Sequence, residues 1–488
     1  MNTQPINRRT VVLGVAGAWA LPLLGCGGGG DGNAAVPTAL FPAEQPFKPL
    51  AALGNTNSVH GQFSAVLTAR PASVQLAAQG PATTVWAYNG VCPGPLIDVK
   101  EGDTVSILFQ NQLAQESTIH WHGLPIPPDQ DGNPMEPVAA GGSKTYTFTL
   151  PLGSAGTYWY HPHPHMTTHQ QVYMGLAGCF VVRPAVDPLA GFTERLMVVT
   201  DLRLDSSNQI AANTNMDMMN GREGNQLLVN GVSQPVLRVQ PGATERWRVV
   251  NATNARYLRL ALQGHAFNVV GLDGGLFETP QTATETLLAP GQRVELLVQT
   301  SPSANQRYVL QALAYDRGAM MSAVPTDLDL LILSTSLEGR ATPMTLPTAL
   351  RPVAGLVNPV RTQAVVLSEV MGMGNMGNQF LINSKSFDPA RVDMVSRLND
   401  VEDWTIDNQG DMDHPFHIHG NQFQLVSRTR SGMTTSSAYP AWIDTVNVRS
   451  KETVRIRVQQ TMLGKRMFHC HILEHEDQGM MGILDVQP

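Results

Sequence analysis

The segment Arg466-Met-Phe-His-Cys-His-Ile-Leu-Glu-His-Glu-Asp-Gln-Gly-Met-Met concentrates the residues best suited to hold a metal. His469, Cys470 and His471 alternate, His475 follows five residues after the cysteine, and Met480 five after that. Two imidazoles, one thiolate and a weak thioether make the trigonal donor set of a redox-active copper. Successive strand side chains point to opposite faces, so His469 and His471 look away from Cys470. Only one of the two imidazoles is then supplied locally. The chain must provide another histidine for the thiolate's metal, and more ligands for a second site on the far side.

Three further clusters answer that need: His120-Trp-His122-Gly, His161-Pro-His163-Pro-His165 and His414-Pro-Phe-His417-Ile-His419. Each carries His-x-His, which puts two imidazoles on one face of a strand. Leaving His165 aside, ten of the fourteen histidines fall in the four clusters. A lone His-x-His is often a chance surface pair; four sets with a cysteine inside one are a metal signature. Structural zinc prefers closed sites with several thiolates, whereas an imidazole-rich set with one thiolate and a thioether suits copper. His165 and His169 lie beside a cluster and are expected to support it from outside; His60 and His265 are expected to be structural or exposed.

These clusters need rigid strands to hold them. Period-two alternation rich in β-branched residues marks strands in Thr104-Val-Ser-Ile-Leu-Phe, Lys144-Thr-Tyr-Thr-Phe-Thr-Leu, Glu245-Arg-Trp-Arg-Val-Val and Glu452-Thr-Val-Arg-Ile-Arg-Val, each expected to be half buried. One short helix is expected around Gln170–Leu176. A turn-and-strand pattern beginning at Asn89-Gly recurs at Asn230-Gly and, more faintly, at Asn383-Ser. Repeats so far apart indicate duplicated domains. The 488 residues likewise suggest about three domains. The expected division is a leader over 27–60 and sandwiches over 61–187, 188–350 and 351–488. A charged fraction of 15% with 44 Gly and 34 Pro describes a turn-rich globular chain. A net charge of −7 without a basic run argues against nucleic acid as a partner.

The N-terminus reads as an export signal over residues 1–26. Asn7-Arg8-Arg9-Thr10 precedes an apolar run too short to span a membrane, and the arginine pair resembles a twin-arginine signal. Leu23-Leu24-Gly25-Cys26 resembles a lipoprotein processing box, with Cys26 as the lipidated residue. Cys92 and Cys179 either pair in an oxidising compartment or stay as buried thiols.

The four histidine motifs resemble those of the multicopper oxidases, in the three-domain bacterial branch of laccase-like enzymes and copper-efflux oxidases. The resemblance covers nearly all the chain after residue 60. It implies an all-β fold of three consecutive cupredoxin-like Greek-key sandwiches, a monomer, and four copper ions. It implies His414, Cys470, His475 and axial Met480 at a type 1 copper, and His120 and His417 at a type 2 copper. His122, His161, His163, His419, His469 and His471 would hold a type 3 pair. Asp131, nine residues past His122, and Glu476, beside His475, match acidic positions that assist proton delivery in the family.

The function so implied is a periplasmic or envelope enzyme that oxidises phenols, aromatic amines or cuprous ion and reduces dioxygen to water. Met480 as the axial group suggests a moderate potential and easily oxidised donors. The methionines of Met371-Gly-Met-Gly-Asn-Met could hold cuprous ion, although methionine is more often core filler and the long Met-rich insert of copper-efflux oxidases is absent. Two alternatives use the same fold: a copper-binding envelope protein without turnover, and a copper nitrite reductase. Four complete clusters argue against the first, and the type 3 set against the second.

Overall fold

The computed structural model describes residues 41–488 apart from 43, 323, 343 and 371–377. The export signal, Cys26 and the methionines of 371–376 lie outside the described residues.

Alternation builds the strands as expected. In Thr104–Asn111 the side chains of Val105, Ile107 and Phe109 are fully buried, while their neighbours face outward. The other three strands form at Ser143–Thr149, Thr244–Asn251 and Glu452–Gln459. Six sheets fall into three consecutive pairs. Sheets of four and three strands occupy Gln62–Arg183, sheets of five and six occupy Thr193–Ser334, and sheets of six and five occupy Arg361–Gln487. Each pair encloses an apolar core containing one fully buried tryptophan: Trp121, Trp247 and Trp404. The architecture is three consecutive β-sandwiches.

The sequence repeat is a structural one. Each sandwich pairs its opening strand in parallel with a later one, through Gln62↔Thr104, Thr193↔Glu245 and Arg361↔Glu402. Asn89, Asn230 and Asn383 all adopt φ of 52°, a left-handed turn that asparagine tolerates. Each side chain then grips the opening strand in the same way. Its Oδ1 accepts from the backbone N–H of Thr68, Val198 or Val366, and its Nδ2 donates to the carbonyl of Val66, Leu196 or Ala364.

Three expectations need correction. Thr244–Asn251 is buried on both faces, because Arg246 and Arg248 are covered by Glu295 and by Thr157 of the first sandwich. The expected helix forms at Thr168–Tyr173, and two more short helices occur at Asn215–Asn220 and Leu473–Asp477. The first of these two begins with a capping box between Thr214 and Asp217. Finally, His120, His122, His161, His163 and His419 do not lie within regular strands; His120 and His161 meet each other in an isolated bridge. Cys92, Cys179 and Cys470 are all free thiols.

Candidate metal centres

Two buried donor clusters sit on either side of Cys470. In the first, the ligating atoms of His414, Cys470 and His475 lie within 4.8 Å of one another, and all three residues are fully buried. His414 begins the strand His414–Ile418, Cys470 ends the strand Gly464–Cys470, and those two strands are paired. The single-turn helix Leu473–Asp477 brings His475 back toward the thiol. His414 Nδ1 is 3.3 Å from Cys470 Sγ. Its Nε2 faces Glu369 Oε1 at 2.8 Å, and His475 Nε2 faces the Met219 carbonyl at 3.0 Å. Both partners accept, so each Nε2 carries the proton and each Nδ1 is left as a lone pair. Phe380 stacks on His475 at 3.9 Å. The Cys470 N–H donates to the Met480 carbonyl, and Met480 is fully buried in the same apolar cluster as the cysteine. Burial pushes the Cys470 thiol far up, so a metal rather than water is what would favour its thiolate.

The second cluster gathers eight histidines. His120, His122, His161 and His163 come from the first sandwich; His417, His419, His469 and His471 come from the third. All are fully buried. The Nε2 atoms of His163 and His419 converge on that of His469, at 3.3 and 3.0 Å. The rings of His122 and His161 lie 4.9 and 5.7 Å from His471, and that of His120 lies 5.7 Å from His417. Nδ1 of His120, His161, His417, His419 and His469 each meets an oxygen at 2.8–3.1 Å, which leaves Nε2 as the lone-pair nitrogen. Among the described residues, Nε2 of His120, His122, His161, His417 and His471 has no hydrogen-bond partner. Burial first, then neighbouring imidazoles, holds His122, His161, His417, His419 and His471 well below the usual histidine range. Burial also lowers His163, with Glu476 opposing it. Neutral, buried imidazoles with orphaned nitrogens fit metal ions and little else.

Three buried carboxylates tie the two halves together, each touching one histidine from either sandwich. Asp131 Oδ1 and Oδ2 lie 3.1 Å from Nδ1 of His120 and His419, whose rings stack at 3.7 Å. Glu476 Oε1 and Oε2 lie 3.3 Å from His163 Nε2 and 3.1 Å from His469 Nδ1, without hydrogen-bond geometry to either. Asp444 Oδ1 lies 3.5 and 3.6 Å from Nδ1 of His122 and His417, whose rings stack at 3.9 Å. Sequence reasoning found Asp131 and Glu476 but missed Asp444 and Glu369. His165 and His169 enter neither cluster: His165 packs on Phe387, and His169 Nδ1 pairs with Asp477 at 2.6 Å.

Three sandwiches and two histidine-rich clusters joined by one cysteine define a multidomain cupredoxin-like metalloprotein. Family models described as multicopper oxidase match residues 72–187, 198–328 and 361–488. The multicopper oxidase mco of Staphylococcus haemolyticus is 31% identical over 82% of this chain and 83% of its own. Among solved structures, the multicopper oxidase of Campylobacter jejuni, described as a metallo-oxidase, superposes with a TM-score of 0.87 at 41% identity, covering 93% of this chain and 98% of that one. A laccase from Pediococcus acidilactici gives 0.81 at 31% identity, covering 92% and 95%. The chain belongs to the multicopper oxidase family; it is an oxidoreductase with copper as its cofactor.

Asp131 offers a direct check on the second cluster. Burial raises its carboxyl, and both oxygens accept from rings. An amide can accept from only one of them. Asp131→Asn is expected to slow oxygen turnover about 10- to 100-fold while leaving the visible absorption of the Cys470 site unchanged. Oxygen uptake and an absorption spectrum on the same sample test this.

Proposed function

We propose that this chain is an exported oxidase of cuprous ion that passes its electrons to dioxygen and reduces it to water. The observation that carries the donor assignment is Glu369 Oε1, 2.8 Å from His414 Nε2. A carboxylate on the outer edge of that ring attracts a cation and repels a phenolate. The other outer edge, at His475, is covered by the helix Asn215–Asn220, which carries Met216, Met218 and Met219; thioethers suit cuprous ion. The metallo-oxidase description of the Campylobacter jejuni protein supports the same reading.

In this reading His414, Cys470, His475 and Met480 hold a type 1 copper, and His120 and His417 a type 2 copper. His122, His161, His163, His419, His469 and His471 hold a type 3 pair. Four bound copper ions supply one-electron storage sites matched to the four electrons that dioxygen needs. Cys470 and the peptide bonds on either side of it link the two clusters covalently through His469 and His471. Glu476 and Asp131 lie beside the histidine cluster and assist proton delivery to it, Asp131 chiefly by holding the rings of His120 and His419. The family-model limits support domain boundaries near 187 and 350. Export by the Asn7-Arg8-Arg9 signal, lipid anchoring at Cys26 and a monomeric state belong to the same proposal.

A second reading, an organic donor, is favoured by one feature. A cavity of about 570 Å³ is lined by Gly221, Tyr257, Tyr315 and Arg317, and a methyl group at Gly221 would strike Ile472, two residues from Cys470. That volume suits a small aromatic molecule. Oxygen uptake by wild type and Glu369→Gln, with cuprous ion and with a phenol, separates the two. Losing one charge-assisted contact is expected to lower kcat/KM for cuprous ion about tenfold and to leave the phenol within about twofold. An unchanged cuprous rate would remove Glu369 from donor binding.

A further inference from the structure

The middle sandwich contributes no histidine to either cluster, yet it reaches the eight-histidine cluster through one buried cation. Arg293, at the start of the strand Arg293–Gln299, is fully buried and pairs with Asp444 through two parallel contacts, Nη1 to Oδ1 at 2.8 Å and Nη2 to Oδ2 at 2.5 Å. Its Nη1 also lies 3.3 Å from His122 Nδ1 and donates to the Gly291 carbonyl, while its Nε donates to the Thr157 carbonyl of the first sandwich. Asp273, also from the middle sandwich, takes the backbone of the same corner: Oδ2 accepts from the N–H of Asp444 and Thr445 at 3.3 and 3.4 Å. Oδ1 of Asp273 accepts from the Arg293 N–H at 2.8 Å. The middle sandwich therefore grips both backbone and side chain of Asp444, the carboxylate that lies between His122 and His417.

Gly123 makes room for this arrangement. It has φ of +86°, and a Cβ there would collide with Asp444 Oδ2 and with the Arg293 guanidinium. The residue that follows a candidate ligand is thus fitted to the ion pair rather than to the ligand itself. Neither of the other two bridging carboxylates, Asp131 and Glu476, has an arginine within ion-pair distance among the described residues.

We propose that Arg293 is a positioning residue for the histidine cluster, a latch from the middle sandwich that fixes Asp444 and thereby holds His122 of the first sandwich against His417 of the third. The inference rests on the ligand assignment proposed above. It makes copper binding at that cluster depend on docking of a domain that supplies no ligand. An arginine fork suits the task because its paired N–H groups fix both carboxylate oxygens, which a lysine ammonium cannot do. The thiolate site at Cys470 has no contact with Arg293 and is the internal control.

The test compares copper-loaded wild type, Arg293→Ala and Arg293→Lys at matched free copper. It reads copper per chain, the visible absorption of the Cys470 site, and the electron paramagnetic resonance signal of the copper assigned to His120 and His417. Loss of such a supporting contact is expected to weaken copper binding at the histidine cluster about 10- to 100-fold in Arg293→Ala. The visible band should keep its position and strength. Arg293→Lys should retain most of the copper but shift the hyperfine splitting of the resonance signal, which a purely structural role would not do. If Arg293→Ala does not fold, the Arg293→Lys spectrum decides. Wild-type copper content together with an unshifted Arg293→Lys signal overturns the latch. A wild-type protein that binds no copper outside the Cys470 site would instead overturn the ligand assignment.

Discussion

Cys470→Ser is expected to be colourless and to lose oxidation of every donor, by more than roughly 1,000-fold, because in the proposed reading all electrons leave the donor side through this sulfur. The site is built around it. Cys470 is fully buried, His414 Nδ1 lies 3.3 Å away, and the Ile472 N–H donates to the sulfur at 3.4 Å. A serine hydroxyl fits the space, but it ionises far less readily and is a hard donor that does not give the thiolate-to-copper transition. The histidine cluster should survive the change. His469 and His471 are turned away from Cys470 toward His163, His419 and His122, and nothing in their packing uses the sulfur. The resonance signal assigned to His120 and His417 should therefore persist while the visible band disappears. Absorption, resonance and oxygen uptake on one preparation check all three expectations, and a Cys470→Ser protein that stays blue ends this account of the thiol.

The contrast between what was legible in the sequence and what was not follows from chain distance. His469, Cys470 and His471 could be read because strand alternation is local: a two-residue period sends neighbours to opposite faces whatever the rest of the chain does. The three Asn turns were legible for the same reason, since a left-handed residue before glycine or serine is a local signal. Asp444 was not. Trp442-Ile-Asp444-Thr reads as an ordinary strand opening, and its role comes from Arg293, 151 residues earlier. Glu369 lies 45 residues from His414 and acquires its meaning only when the first strand of the third sandwich passes that ring. The strand Thr244–Asn251 misled in the opposite direction. Its alternating Arg246 and Arg248 look solvent-facing, but Glu295 and Thr157 cover them. Pattern reading assigns a polar face to water by default, and an interface between domains of one chain breaks that default.

Glu476→Gln is expected to separate the two halves of the reaction. Glu476 is 1% exposed and sits between His163 and His469, one ring from each end sandwich, with neither oxygen in hydrogen-bond geometry. Asp131 differs: both of its oxygens accept from histidine Nδ1–H groups, so its main work is to hold rings. A carboxyl without committed partners is free to give a proton to a reacting oxygen and take one back, a role that a glutamine of the same size cannot fill. Loss of a positioned acid costs about 10²- to 10⁴-fold in the step that needs it. The proposed donor side lies across Cys470, at Glu369, His414 and Met219, and should not respond. Under argon, a donor should bleach the visible band of Glu476→Gln at the wild-type rate; on admission of oxygen, the colour should return about 10²- to 10⁴-fold more slowly. Equal slowing of both phases would mean that Glu476 acts by shaping the cluster. In that case Glu476→Gln should also shift the resonance signal, whereas loss of a proton donor alone leaves that signal in place.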